Sequence, residues 1–453
     1  MPITRHVPAE IWKTVFEIVV HSTSSKYSLI FQHDMLNRAR IFGAPSLILS
    51  QVSPLWRAIM MNLPSLWSSV SIEFVGVSRS FVRLLTLYLT NSGQHPLILR
   101  ITRELRHTLP PLSEEGVAAW KALSPHLNRC EELYLGVCSH FEFPPIHDLS
   151  FPNLLVLDEE EEAMSYPLWF WKAVEAAPRL SRARINAFNP FRTLPYHQLT
   201  SLEVVYCGKG DAQGVLELLP TCHRLLSLEI NQLDGNGDEV FVVPPRTIEV
   251  PTLQRLSISN CTYKPPQTVN PMFSAFCQLS LPALTDLDMS CHYWPPALHT
   301  LLERSSASVK KVKLNLGPKG ITDYRHPFSV IPSFSCLTHL ELSLCPFDFP
   351  ATVLAEMLLE LQTGRDSDQP LILPQLTHLL LDASPQTLTQ PVGDGLVQLV
   401  RSRRLASHPL KITTINLTNL PGSPTHLEPA IAERVRALED AGFDVTIDEY
   451  PCW

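Results

Sequence analysis

Charge is scarce in this chain: 18% of its 453 residues are Asp, Glu, Lys or Arg, against roughly a quarter in an average globular protein. The net charge of −8 is spread over the whole length, so there is no basic footprint of the kind that binds nucleic acid. No run approaches the roughly 20 apolar residues needed to cross a bilayer, and Arg5, His6, Glu10, Lys13 and Glu17 interrupt the first twenty positions. Neither secretion nor membrane insertion is expected. The ten cysteines lack close metal-type pairs, which predicts reduced thiols in cytosol or nucleus and makes the sequons at Asn260 and Asn416 chance matches. Catalytic signatures are missing too. There is no Gly-x-Ser-x-Gly elbow and no His-Glu-x-x-His, and Cys207-Gly208-Lys209-Gly210 is too short for a phosphate loop. Asp234-Gly235-Asn236-Gly237-Asp238 begins like a calcium loop, but the sixth position is Glu239 and the twelfth Pro245. Cys261, Cys291 and His292 lack ligand spacing. No metal, cofactor or enzymatic activity is expected.

What is abundant is apolar residues, 45% of the chain, and proline, 40 residues against 17 glycines. The first allows a folded core, and the length exceeds what one core usually fills, so several domains or a repeat stack are expected. The prolines include the doublets Pro144-Pro145, Pro244-Pro245, Pro265-Pro266 and Pro295-Pro296 at the ends of apolar runs, where proline halts helices and sheet ladders.

Near the N-terminus, Ile11, Trp12, Val15, Phe16 and Val19 recur at helical spacing, and Leu49, Val52, Leu55, Trp56, Ile59 and Met60 predict a second amphipathic helix. Asn62-Leu63-Pro64 breaks it before Ser65-Leu66-Trp67-Ser68-Ser69-Val70. By periodicity alone this is a small helical domain. The order Pro8-Ala9-Glu10-Ile11-Trp12, then Leu49-Ser50-Gln51-Val52-Ser53-Pro54-Leu55-Trp56-Arg57, then Leu63-Pro64-Ser65-Leu66-Trp67-Ser68 resembles the F-box found in many proteins of mushroom-forming fungi. The resemblance covers about the first 72 residues, with Val7 where leucine is usual, Ser53 where cysteine is frequent, and residues 21–43 as an apparent insertion. It implies docking on the Skp-type adaptor of a cullin ligase through Pro8, Ile11, Trp12, Phe16, Leu49, Val52, Trp56, Leu66 and Trp67. The expected domains are residues 1–75 as F-box and 76–453 as a repeat array.

That array is read from a frame. A helical pattern through Phe81, Leu84, Leu85 and Leu87 is followed by the strand-like Leu97-Ile98-Leu99-Arg100-Ile101, and Leu-x-x-Leu-x-Leu then recurs. Its starts are Cys130, Leu154, Leu180, Leu199, Leu225, Leu253, Leu284, Val309, Leu337, Leu376 and Ile412, 19 to 39 residues apart. This spacing predicts an α/β fold, an irregular leucine-rich-repeat solenoid with a parallel concave sheet and a helix and strand closing it at Ile431–Ile447. Cys138, Cys207, Cys261 and Cys345 fall three residues after the frame, a slot for small buried residues that resembles the cysteine-type repeats of other F-box proteins.

Polar residues between the frame positions point away from the core. The expected recognition row contains Glu132, Tyr134, Glu203, Glu229, Arg255, Ser257, Asp286, Asp288, Lys311, Lys313, His339, Glu341, His378 and Asp382, with acidic positions first and Lys311 and Lys313 reversing the sign. Such a row would either select a target protein of complementary charge or be an ordinary hydrophilic sheet face. The run Asp158–Glu162 reads as a solvated loop or an attractor for a basic partner, and Arg401-Ser402-Arg403-Arg404 is too short for a nuclear signal. The functional expectation is a substrate-recognition subunit of a ubiquitin ligase; the alternative is a scaffold that binds the adaptor without degrading a target.

Overall fold

The computed structural model describes residues 7–22, 26–34, 39–74, 76–102, 112–136, 144–159, 167–188, 193–233, 247–259, 276, 278–291, 296–305, 309–316, 334, 336–344, 351–361, 373–404, 410–419 and 429–449. Two compact units divide the chain, Met1–Leu202 and Glu203–Trp453. Both are mixed α/β with mostly parallel strand ladders. No helix among the described residues is long and apolar enough to cross a membrane.

The first unit opens with α1 (Ala9–Ser22), the hairpin β1 (Leu29–Asp34) and β2 (Ala39–Gly43), α2 (Pro45–Val52) and α3 (Pro54–Met61). The apolar periodicity from Leu49 to Met60 predicts one helix, and the structure has two. Ser53 is extended at φ −156°, ψ 161°, and its Oγ accepts from the Trp56 N–H at 3.1 Å. Ser53 thus caps α3, and Pro54, lacking an N–H, suits a helix start and not an interior. The apparent insertion contains two strands: β1 pairs antiparallel with β2 and parallel with β3 (Ser69–Glu73).

After β3 the unit continues with α4 (Arg79–Asn91), β4 (Leu97–Thr102), α5 (Glu114–Leu123), β5 (Cys130–Leu135), β6 (Val156–Glu159), α6 (Leu168–Glu175) and β7 (Arg182–Ala187). Its strands run in the order β2-β1-β3-β4-β5-β6-β7. On α4, Phe81, Leu85, Tyr88 and Leu89 are buried while Leu87 is exposed, so the buried stripe takes Tyr88 in place of Leu87.

The boundary falls within β8 (Ser201–Cys207), and the second unit continues with α7 (Lys209–Leu218), β9 (Ser227–Leu233), β10 (Ile248–Glu249), β11 (Arg255–Ile258), β12 (Leu279–Ser280), β13 (Asp286–Cys291), α8 (Pro296–Ser305) and β14 (Lys311–Leu316). There follow β15 (His339–Leu344), α9 (Ala351–Leu361), β16 (His378–Ala383), α10 (Gln390–Arg404), β17 (Ile412–Asn419), α11 (Pro429–Ala441) and β18 (Asp444–Glu449). The ladder runs β8-β9-β11-β13-β14-β15-β16-β17-β18, with β10 and β12 a separate parallel pair.

The Leu-x-x-Leu-x-Leu frame is the buried side of these ladders. Leu225, Leu228 and Ile230, Leu253, Leu256 and Ile258, and Leu376, Leu379 and Leu381 are all interior, and the other described frame side chains repeat this. Two regularities accompany it. The first frame residue donates its N–H three residues back: Leu154 to Phe151, Leu253 to Val250, Leu284 to Leu281 and Leu376 to Leu373. Each of these turns has proline next, Pro152, Pro251, Pro282 and Pro374, in the position of a tight turn that a fixed φ favours. The second is a hydroxyl after the first frame residue. Ser181, Thr200, Thr285, Thr338 and Thr377 each donate to a carbonyl of the preceding repeat at 3.0–3.3 Å. Of the four cysteines in the slot after the frame, Cys207 is described and fully buried; Cys138, Cys261 and Cys345 lie outside the described residues. Burial holds the Cys207 thiol well above its ordinary range, so it stays protonated.

Candidate functional site

The helices α1, α2 and α3 pack on one another around Trp12, Phe16 and Trp56, whose ring centroids lie 4.9–5.7 Å apart. The nine expected docking residues separate into three groups. Phe16, Leu66 and Trp67 are interior. Trp12, Leu49 and Trp56 are half-buried, and Pro8, Ile11 and Val52 are exposed. On the same helices Val15, Ile18 and Ile48, outside the expected docking set, are exposed as well. Ile11, Val15 and Ile18 follow i, i+4, i+7 spacing on α1, and Ile48 and Val52 follow i, i+4 on α2. Ile11 is 54% exposed, Ile18 59%, Ile48 64% and Val52 59%. Helical periodicity was the available signal, but it could not tell which apolar stripe faces inward.

The polar rows occupy the strand positions between frame residues. In the first unit Arg100, Tyr134, Asp158 and Arg184 are register neighbours on β4, β5, β6 and β7. Tyr134 and Glu132 were expected there; Arg100, Asp158 and Arg184 follow the same period-2 alternation and were missed because their frames are looser. Asp158 and Glu159 belong to a strand and not to a solvated loop. Asp158 pairs with Arg184 at 3.4 Å, and Glu159, which takes the third apolar position of its frame, is fully buried and accepts from the Asn186 N–H at 3.2 Å. Backbone donation is what lets a carboxylate stand in that position. Residues 160–162 and the calcium-like loop 234–238 lie outside the described residues.

In the second unit Arg255, Asp286, Lys311, His339 and His378 are neighbours in one row, and Glu229, Ser257, Asp288, Lys313 and Glu341 in the next. Chain order suggests acidic positions followed by basic ones, but register interleaves them. Lys313 pairs with Glu341, which raises the Lys313 pKa. Burial raises that of Asp288 against the opposing pull of Lys313, Arg255 and Lys311. Ser257 is buried: its short hydroxymethyl sits between Glu229 and Asp288 and is covered by longer neighbours. Glu203 accepts from Asn231 at 2.6 Å, and Asp382 accepts from Ser343 at 2.9 Å and from Asn416 at 2.6 Å. Much of the row's charge is therefore compensated within the sheet.

His339 and His378 stack with centroids 3.9 Å apart and planes 11° apart. Each Nδ1 lies 2.8 Å from a threonine Oγ1, of Thr338 and Thr377. Each hydroxyl also lies within 3.0–3.2 Å of a carbonyl, of Lys310 or Thr338, and a hydroxyl that donates there accepts from an Nδ1–H. Desolvation first, then His378 and Lys311, lower the His339 pKa from 6.5, with Asp286 opposing. Below pH 6.5 the unfolded chain binds this proton more readily than the folded one, so His339 makes stability fall as pH drops from 6.5 towards its lower folded value. In an NMR pH titration His339 is expected to show the Nδ1–H tautomer and a midpoint below 6.5 that rises in His378→Gln. A midpoint at or above 6.5 would contradict the stack.

Among the described residues no group of three or more His, Cys, Asp or Glu could hold a metal. Burial raises Cys130 to about 12 and Cys222 to about 11, which keeps both thiols protonated. Neither protein-family models nor curated proteins match this chain.

Proposed function

We propose that this chain is a non-catalytic recognition subunit of a cullin-type ubiquitin ligase, working in cytosol or nucleus. Its N-terminal helices would act as an F-box docking on a Skp-type adaptor, and the strand rows, as an irregular leucine-rich-repeat array, would hold a target protein. The observation that carries this is the exposed aliphatic set Ile11, Ile18, Ile48 and Val52 on α1 and α2, beside a module whose interior is already filled by Phe16, Leu66 and Trp67. Apolar surface of that kind on a folded module marks an interaction site. Ligation chemistry would belong to other subunits, and the chain's contribution is proximity.

The test is co-purification of the Skp-type adaptor with the full chain carrying Ile11→Asp and Val52→Asp. Two aliphatic side chains at about 1.5–3 kcal/mol each amount to roughly 4 kcal/mol, or about three orders of magnitude in Kd. Both side chains are exposed, so the variant should melt with the unaltered protein. Undiminished retention would refute the docking claim. Retention by the unaltered chain without accumulation of bound proteins when the chain is removed would instead favour an assembly scaffold.

A further inference from the structure

In the first unit a cation of the chain's own occupies a site on the sheet face. Lys26 Nζ lies 3.5 Å from the centroid of the Tyr134 ring and 5.7 Å from that of Tyr27. It also pairs with Glu132 Oε2 at 3.3 Å. Tyr134 donates its hydroxyl to the same oxygen at 2.6 Å, which fixes the ring. Burial, then the bond to Glu132, raise the Tyr134 pKa, with Tyr27 and Asp158 acting in the same direction. The phenol therefore stays protonated, and the carboxylate supplies the charge. Two aromatic rings, a carboxylate and a seated ammonium form a complete cation site.

We infer that Tyr134, Tyr27 and Glu132 form a receptor for the primary ammonium of a partner protein's lysine, with Lys26 as its intramolecular stand-in. A primary ammonium is the matching class because the site offers both a ring face and a hydrogen-bond acceptor. A quaternary ammonium would keep the ring and lose the acceptor. Lys26 is displaceable because its side chain remains 44% exposed, and an ion pair in that much water adds little stability. Lys26 also sets the affinity, since a site filled by its own chain binds an outside ligand in proportion to the fraction left open. This inference concerns the sheet face and holds whether or not the N-terminal helices dock on an adaptor.

The probe is n-butylammonium, added to full-length protein with ring-labelled tyrosine at constant ionic strength and followed by NMR. The chain has ten tyrosines, and Tyr134→Leu identifies the signal. In Lys26→Ala the Tyr134 resonance should shift saturably, with a midpoint at least about tenfold lower than in the unaltered protein if Lys26 fills the site about nine-tenths of the time. The shift should weaken in Lys26→Ala/Glu132→Gln, and tetramethylammonium should bind less tightly than n-butylammonium. Lys26→Gln, which keeps the length of the stem, provides the same test should the alanine variant fold poorly. No saturable shift in either variant, an unchanged midpoint, or tighter binding of tetramethylammonium would overturn the inference.

Discussion

Replacing Arg129 by methionine is expected to destabilise the first unit by roughly 3 kcal/mol, with Arg129→Lys recovering only a minor part. Arg129 is buried, and its guanidinium donates to the carbonyls of Leu89 at 3.2 Å, Ser92 at 3.5 Å and His95 at 2.7 Å, and to Ser92 Oγ at 2.8 Å. These acceptors are at and just past the C-terminal end of α4, where carbonyls have no partner within the helix and a cation is favoured by the helix dipole. Gly93, at φ +52°, makes the reversal there that other residues rarely adopt. Methionine fills most of the volume, so the loss is polar: Leu89 O keeps the Ser92 hydroxyl and Ser92 O the His95 N–H, both at 2.9 Å, and the cost is that of the charge-assisted bonds, above all the one to His95 O, at about 1.5–3 kcal/mol each. Lysine carries the charge but not the planar fork that reaches several acceptors at once. Urea unfolding followed by hydrogen exchange at Leu89–His95 would measure the loss and localise it. A change under about 1 kcal/mol would show that water replaces the guanidinium without penalty. Arg403 repeats the device in the second unit, fully buried and donating to Leu361 O at 3.2 Å and Leu373 O at 2.7 Å.

Trp67→Ala is expected to cost about 3–5 kcal/mol, the range for removing a large aromatic side chain from a packed core. Trp67 packs edge-on against Tyr88 at 4.9 Å and donates its indole N–H to Met60 O at 2.9 Å, and Tyr88 Oη accepts from the Leu47 N–H at 3.3 Å. One side chain thereby joins α3 to α4 and, through Tyr88, to α2. Trp67→Phe should cost far less, because Met60 O retains the Leu63 N–H at 3.1 Å. The pair also separates fold from docking. Trp67→Ala should lower the melting temperature and adaptor retention together, whereas Ile11→Asp should lower retention alone. A Trp67→Ala protein that melts like the unaltered one but loses the adaptor would move Trp67 from the core to the docking surface.

The frame was legible because period-2 alternation and burial are the same fact in a strand covered on one face. Its turn was legible too, as Phe151-Pro152-Asn153-Leu154, Val250-Pro251-Thr252-Leu253, Leu281-Pro282-Ala283-Leu284 and Leu373-Pro374-Gln375-Leu376 show. The proline doublets draw attention first, yet these single prolines carry the regular task of starting strands. The break at Ser53-Pro54 was also written in the chain; apolar residues run through it, although α2 buries Ser46 and Ser50 and exposes Ile48 and Val52. The F-box resemblance selects Phe16, Leu66 and Trp67 together with Ile11 and Val52, since apolar identity does not distinguish an interior residue from an exposed one.

By itself the sequence determined where strands begin, which of their residues are buried, and the absence of any recognisable catalytic motif, because these depend on patterns a few residues long. Tertiary structure decided the rest: which stripe of α1 stays exposed, how Arg129 reaches back to α4, that His339 meets His378, and that Lys26 seats on Tyr134. Those contacts join positions 34 to 108 apart in the chain, and they depend on strand register and loop path, which no local pattern specifies.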